Sequence, residues 1–198
     1  MAFSDNVWWT RKARIQAEKR LLANAFQSQL LLLWYSFFGV AVSIYYLKFE
    51  NIGTHGELAG ISWVVFSVLS LCMSGFITGL SFKERANLIK ECYETLNSLY
   101  QKAKGANSNL DALSKEYEQI MGLCENHTDY DYYLALCLEY VTCTGAKDKI
   151  TGLKKGLDRR PSWYHWSSII WWKTNRYLLL TFLYLIPVIL FIFLKVST

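Results

Sequence analysis

Three stretches of the chain contain no charged residue and are long enough to cross a lipid bilayer. They are Leu21–Leu47, Leu58–Phe82 and Tyr177–Leu194. A helix rises about 1.5 Å per residue, so even the shortest stretch covers roughly 27 Å, close to the thickness of a bilayer core. The pattern predicts an all-α membrane protein with a two-helix transmembrane hairpin, a helical cytoplasmic extension and a third, C-terminal transmembrane helix. This last segment contains Pro187 and could instead be re-entrant.

The composition separates the chain into two kinds of segment. All 21 basic and 16 acidic residues lie outside the three stretches, although 53% of the 198 residues are hydrophobic. The remainder is about 29% charged, near the value for soluble domains. It is too small to enclose three helices that are apolar on every side, which disfavours a soluble protein with three core helices. The high hydrophobicity also excludes a disordered chain.

Lys and Arg residues near the membrane ends predict the orientation. The lead at residues 1–20 and the region at 83–160 are rich in both, and we expect them to be cytoplasmic. The loop at 48–57 carries a single Lys and should lie outside. The lead is interpreted as a basic amphipathic helix, and its basic residues are Arg11, Lys12, Arg14, Lys19 and Arg20.

The region at 83–160 predicts several helices. Residues 83–104 lack Gly and Pro, so we expect the second membrane helix to run straight on into the cytoplasm. Asn109 should cap the next helix, and Thr128 with Asp131 should form a capping box for a third. Gly152–Pro161 is interpreted as a basic loop. The predicted buried stripes are Leu88, Cys92, Leu96, Leu99 and Tyr100 on one helix, and Leu113, Tyr117, Ile120 and Cys124 on the next.

An aromatic segment at residues 161–176 precedes the third membrane stretch. Trp and Tyr rings prefer the headgroup zone, so we interpret these residues as an amphipathic interfacial segment that lies on the inner leaflet. The alternative is a core helix of the cytoplasmic region. The expected interface anchors are Trp8, Trp9, Trp163, Tyr164, Trp166, Trp171 and Trp172.

Small and hydroxylated residues define one face of the second membrane helix. At about 100° per residue they fall within an arc of roughly 80°, and Gly75 and Gly79 lie beside it with the spacing that favours close helix packing. We expect the third helix, which is poor in small residues, to face lipid. The hydroxyl positions are Ser67, Ser70, Ser74, Thr78 and Ser81, and the matching face of the first helix is Ser36, Gly39 and Ser43.

Two interpretations of the hydroxyl stripe remain open. The stripe either packs against another helix, with each hydroxyl bonded to a carbonyl one turn back, or lines a water-filled path in an assembly of several copies. A proton pump or coupled transporter normally needs a charge inside the membrane, and the three stretches contain none.

The chain offers little that suggests catalysis. His127 with Cys124, Cys137 and Cys143 does not match a standard zinc spacing, and there is no Gly-rich phosphate loop or nucleophile elbow. We therefore expect no enzymatic activity, no cofactor and no metal. The odd number of cysteines in a cytoplasm-facing protein suggests reduced thiols.

Two motifs resemble a known superfamily. WWTRKARIQAEKRL (Trp8–Leu21) and FKERANLIKECYETLNSLY (Phe82–Tyr100) resemble the SLATT superfamily, which comprises two-helix membrane effector domains of bacterial conflict systems. The resemblance covers most of residues 6–125 and extends loosely to the end. The third hydrophobic segment departs from the two-crossing pattern and is similar to the branch that lies beside reverse transcriptases in retron-like defence systems. Members carry no known catalytic residues, so none is transferred.

The resemblance implies a pore-forming effector, or toxin, of an antiphage abortive-infection system. Such a protein would stay inactive until a reverse-transcriptase-type sensor triggers it, and through that sensor nucleic acid would be an indirect partner. Its expected partners are other copies of itself and the lipid of the bacterial inner membrane. The alternatives are a membrane-anchored helical interaction protein, a nucleotide-signal-gated pore effector and a small lipid-directed enzyme.

Overall fold

The computed structural model describes residues 3–49, 54–105 and 109–197, and within these ranges the chain is helical and contains no strand. Three of its helices contain stretches that are long and apolar enough to cross a membrane. This confirms the predicted all-α membrane fold. The helices are α1 (Phe3–Phe49), α2 (Thr54–Gly79), α3 (Phe82–Lys104), α4 (Leu110–Met121), α5 (Asp129–Thr142) and α6 (Trp163–Ser197).

The described residues form two compact units. The helical unit contains residues 3–23, 82–105 and 109–174, and the membrane unit contains 24–49, 54–81 and 175–197. The basic lead and the region after α2 therefore fold together. Helices α1 and α6 contribute residues to both units.

The core of the helical unit is built from one face each of α1, α3 and α4. Leu96 and Leu99 of α3 are fully buried and pack with Val7 of α1 and with Leu113 and Ile120 of α4. The predicted α4 stripe is thus confirmed. A core leucine of this kind typically contributes about 2–5 kcal/mol relative to alanine.

The predicted α3 stripe needs one correction. Leu88 is 49% exposed, whereas Ala86 and Ile89 are buried against Ala17 and Leu21 of α1. Ala86, Ile89 and Cys92 follow one another at intervals of three residues. Ala86 and Ile89 therefore continue the buried face of Cys92 toward the start of α3.

The two predicted helix caps are confirmed. The Asn109 side chain accepts hydrogen bonds from the backbone N–H groups at the start of α4. Thr128 and Asp131 form a complete capping box at the start of α5. Fully buried Asp131 also accepts two hydrogen bonds from Arg20 of α1, at 2.9 and 3.0 Å. One carboxylate thus caps α5 and binds α5 to α1.

The second membrane helix does not run straight on into the next helix, so that prediction is wrong. Helix α2 ends at Gly79 and α3 begins at Phe82. Ser81 has a φ of 45°, a left-handed conformation that an L-residue in a helix does not adopt. The N–H groups of Leu80 and Ser81 instead donate to carbonyls three residues back, at 3.2 Å.

The core of the membrane unit consists of large residues from three helices. Val42 of α1, Trp63 and Phe66 of α2 and Leu194 of α6 are buried together. Aromatic rings join the helices, as between Tyr35 of α1 and Phe66 of α2, whose centroids lie 5.4 Å apart. The expectation that α6 lies on the lipid side needs a correction for one face, which packs in this core, whereas Phe182 and Phe193 on other parts of its surface are exposed.

The aromatic segment and the third apolar stretch form a single helix. Helix α6 continues without interruption through Arg176 and Tyr177, so the aromatic segment at 161–176 and the third apolar stretch share one helix from Trp163 onward. Pro187 lies inside α6 and is fully buried. Helix α6 is long enough to span a bilayer.

Candidate functional site

The hydroxyl residues of α2 bond mainly to their own helix. The Ser67 and Ser70 hydroxyls donate to the backbone carbonyls of Trp63 and Phe66 at 2.9 Å. The Thr78 hydroxyl donates to the backbone carbonyl of Ser74, also at 2.9 Å. These bonds satisfy the hydroxyl donors within the helix, as the packing interpretation expects. Ser67 and Thr78 are exposed, while Ser70 and Ser74 are half-buried.

Ser81 does not belong to this stripe. It lies in the turn after α2, with a positive φ. The hydroxyl stripe on α2 therefore consists of the other four positions, Ser67, Ser70, Ser74 and Thr78, and α2 itself ends at Gly79.

Gly75 and Gly79 face open space. A Cβ atom built at either position would meet no described residue of another helix within 4 Å. At about 100° per residue, these glycines lie about 120–160° around α2 from Trp63 in the buried core. The close-packing face that the sequence suggests is thus uncovered by the described residues of one chain. We call Gly75 and Gly79 the glycine face.

The matching face on α1 is also uncovered. Ser36 and Ser43 are exposed and donate to carbonyls one turn back, at 2.9 and 2.8 Å. A Cβ atom built at Gly39 likewise meets nothing within 4 Å. The structure therefore does not bring the small faces of α1 and α2 together within the described part of one chain.

Pro187 is accommodated by hydrogen bonds from α1. Proline has no N–H, so the carbonyl of Leu183, four residues earlier, loses its usual helical donor. The Tyr35 hydroxyl donates to this carbonyl at 2.8 Å, and the Trp34 indole N–H donates to the adjacent Tyr184 carbonyl at 3.0 Å. Membrane helices tolerate proline when neighbouring groups satisfy the freed backbone in this way.

Most of the predicted interface anchors on α6 are exposed. Trp163 is 84% exposed, and Tyr164, Trp171 and Trp172 are also open, while Trp166 is half-buried. A core helix would bury such rings. This exposure supports the interpretation of a membrane interface, which remains a prediction.

The anchors predicted on α1 differ from one another. Trp9 is only 1% exposed, its indole N–H donates to Asp158 at 2.6 Å, and Arg159 lies over its ring. Trp9 is therefore a core residue of the helical unit, and its assignment as an interface anchor is wrong. Trp8 is half-buried beneath Lys12.

A buried arginine is the main feature that the sequence analysis missed. Arg14 is fully buried, and its guanidinium contacts three sulfur atoms. It donates to Cys124 at 2.8 Å, to Met121 at 3.1 Å and to Cys92. Among the described residues no carboxylate forms an ion pair with it, and its Nε has no hydrogen-bond partner. A buried cation without an anionic partner is costly, which makes this site unusual.

A signal for this burial exists in the sequence. Arg14 lies seven residues from both Val7 and Leu21, and a spacing of seven returns to nearly the same face of a helix. Both neighbours are buried. The other basic residues of the lead surround Arg14 in the sequence, and the charge pattern alone does not separate its inward position from theirs.

The histidine and cysteine candidates do not come together as a metal site. No group of three or more His, Cys, Asp or Glu side chains with suitable geometry occurs in the described ranges. His127 is half-buried, and burial lowers its pKa below 6.5, with positively charged Arg14 lowering it further. The absence of catalysis and of a cofactor remains a prediction.

The comparison with known families identifies the chain. Residues 2–193 match the family described as SMODS and SLOG-associating 2TM effector domain family 5. The chain belongs to this SLATT family. No curated protein and no solved structure gives a significant match.

The match includes the third apolar stretch. It extends to residue 193 and so covers almost all of α6, in agreement with a resemblance that extends to the end of the chain. The third apolar helix is thus part of the region that matches this family.

Proposed function

We propose that this SLATT protein is a non-enzymatic effector that permeabilises the bacterial inner membrane. It stays inactive until an upstream sensor, for which a reverse-transcriptase-type protein is the best candidate, acts on the helical unit. Copies of the chain then associate and depolarise the membrane, which stops growth of an infected cell.

The uncovered glycine face carries this proposal. Gly75 and Gly79 have the spacing that lets membrane helices approach closely, yet nothing in the described chain fills the space before them. The bulky core around Trp63 and Phe66 holds the three helices of one chain together elsewhere. The glycine face is therefore available to a second copy.

The proposed orientation places the helical unit in the cytoplasm. Residues 3–23 and residues after α2 share this unit, so both must lie on one side of the membrane. Their Lys and Arg content favours the cytoplasmic side. In this arrangement an intracellular sensor has direct access to the unit.

Dye release from liposomes tests the proposal. The full chain would be reconstituted at increasing protein-to-lipid ratios, because mass action favours association without the sensor. We expect release that rises more steeply than linearly with protein density. A membrane-anchored interaction protein would insert equally well and release no dye at any density, and this result would contradict the proposal.

A further inference from the structure

We propose that Cys92 and Cys124 form a dithiol pair that low-molecular-weight disulfides oxidise to an intramolecular disulfide. The pair lies at Arg14 in the helical unit. The proposal does not depend on membrane permeabilisation, and its test needs only the folded chain.

The first support is the position of the two sulfur atoms. Nη1 of Arg14 donates both to Cys92 and to Cys124, the latter at 2.8 Å, so both sulfurs lie against one nitrogen. The Cys92 thiol also donates to the Ile120 carbonyl at 3.2 Å, which holds it beside the end of α4. Cys124 packs against the same cluster. Both sulfurs therefore belong to one cluster around Nη1 of Arg14.

The second support is the buried charge of Arg14. Thiol–disulfide exchange proceeds through attack by a sulfur that carries negative charge. Arg14 donates to both sulfurs, and no carboxylate among the described residues forms an ion pair with it. The negative sulfur of each step would therefore lie against a positive charge.

Exposure assigns the order of the two steps. Cys124 is half-buried and can meet a reagent, whereas Cys92 is only 1% exposed. Burial also raises the pKa of the Cys92 thiol to about 12, so it reacts poorly with a reagent from solution. We therefore assign Cys124 as the attacking residue and Cys92 as the residue that closes the disulfide, helped by its proximity.

The reaction with oxidised glutathione balances as follows. The Cys124 thiol loses its proton and attacks one glutathione sulfur. A Cys124–glutathione bond forms, the glutathione disulfide breaks, and the released thiolate takes up a proton. The Cys92 thiol then loses its proton and attacks Cys124, which forms the protein disulfide and releases the second glutathione. Two protein thiols are oxidised, and one glutathione disulfide is reduced to two thiols.

The remaining cysteines of the helical unit provide internal controls. Cys137 is buried on α5, and burial raises the pKa of its thiol to about 11. Cys143 is half-buried, and its thiol lies 3.6 Å from the Lys155 carbonyl. Neither has a hydrogen bond to an arginine in the described structure, so we expect both to remain free.

The experiment treats the folded full-length protein with oxidised glutathione, blocks the free thiols and identifies linked peptides by mass spectrometry without reduction. We expect a peptide pair joined through Cys92 and Cys124, with Cys137 and Cys143 alkylated. In Cys92→Ser we expect glutathione to remain attached to Cys124, and in Cys124→Ser we expect Cys92 to stay unmodified.

Other outcomes would overturn the proposal. They are full alkylation of both cysteines in the wild type, a stable glutathione adduct at Cys124 without a crosslink, or a crosslink to Cys137 or Cys143. If glutathione modified Cys92 in the Cys124→Ser variant as fast as the crosslink forms in the wild type, the assigned order would be wrong.

Discussion

The hydroxyl group of Tyr35 donates a 2.8 Å hydrogen bond to the carbonyl of Leu183, four residues before Pro187. This carbonyl lacks its helical donor because proline has no N–H. The bond joins α1 to α6 at a point where α6 could not satisfy its own backbone. It makes α6 a structural part of the membrane unit rather than a lipid-facing addition.

Replacing Tyr35 by phenylalanine should destabilise the membrane unit. Hydrogen bonds between membrane helices contribute about 0.6 kcal/mol on average and at most about 1.7 kcal/mol. We expect a loss near the upper value, because a backbone carbonyl in an apolar environment is left without a donor. Unfolding of the purified protein by titrated SDS measures this loss.

Tyr177→Phe provides the matched control for this change. Tyr177 is exposed on α6, and the described structure records no hydrogen bond from its hydroxyl, so its removal should leave the unfolding free energy unchanged. Equal effects of the two substitutions would show that the Tyr35 bond does not stabilise the α1–α6 contact.

Arg20→Gln should destabilise the helical unit much more than Arg85→Gln. Loss of Arg20 leaves the buried Asp131 carboxylate without its ion pair, which typically costs about 3–5 kcal/mol. Arg20 is itself partly exposed, so we expect the lower part of that range. Arg85 pairs with Glu125, and both of these side chains are about a third exposed, whereas Asp131 is fully buried; the more exposed an ion pair is, the closer its contribution lies to about 0–1 kcal/mol. Chemical denaturation compares the two, and similar losses would contradict the structural role of Asp131.

Acid should weaken the helical unit through His127. Its folded-state pKa lies below the ordinary value of 6.5, so the unfolded chain binds a proton first as the pH falls. Stability is therefore full above about pH 6.5 and declines as the pH falls from there toward the folded-state pKa. Asp131 and Asp129 oppose this shift, but burial and Arg14 outweigh them.

The His127→Gln variant isolates this contribution. Burial also lowers the pKa of His165, so His165→Gln is the control that corrects for the second histidine. Thermal unfolding between pH 7.5 and 5 should show a shallower decline for His127→Gln than for the wild type. An unchanged decline would contradict the assignment to His127.

The sequence was sufficient for features that depend on local chemistry. The three apolar stretches, the Asn109 cap and the Thr128–Asp131 capping box each follow from neighbouring residues, and each is found in the structure. The core face of α4 follows from helical spacing in the same way.

Features that depend on distant contacts were not predictable in this way. The break at Ser81 has no Pro and occurs two residues after a glycine that itself remains helical. Trp9 satisfies the composition of an interface anchor, yet it is enclosed by Asp158 and Arg159. Arg14 becomes unusual only when Cys92 and Cys124, from other parts of the chain, are placed beside it.

Introducing Glu at Ser74 should distinguish a water-filled path from dry packing. Ser74 is half-buried on α2. In a wet path, carboxylates from several copies would increase the preference for cations without abolishing leakage. In a dry contact the charge would be costly, roughly 2.5–3.5 kcal/mol if it resembles Asp, and association should fail. The reversal potential of the Ser74→Glu variant in planar bilayers distinguishes the two cases. Leakage with unchanged ion selectivity would show that Ser74 does not line the water-filled path.

The most direct test of the account is the membrane potential of bacteria that express Gly75→Leu. Nothing in the described chain fills the space at Gly75, so leucine should neither disturb one copy nor prevent insertion, and it should block close contact between copies. Gly60→Leu, another open position on α2, is the matched control. We predict depolarisation by the wild type and by Gly60→Leu, but not by Gly75→Leu at the same inserted level. Undiminished depolarisation by Gly75→Leu would contradict assembly through the glycine face.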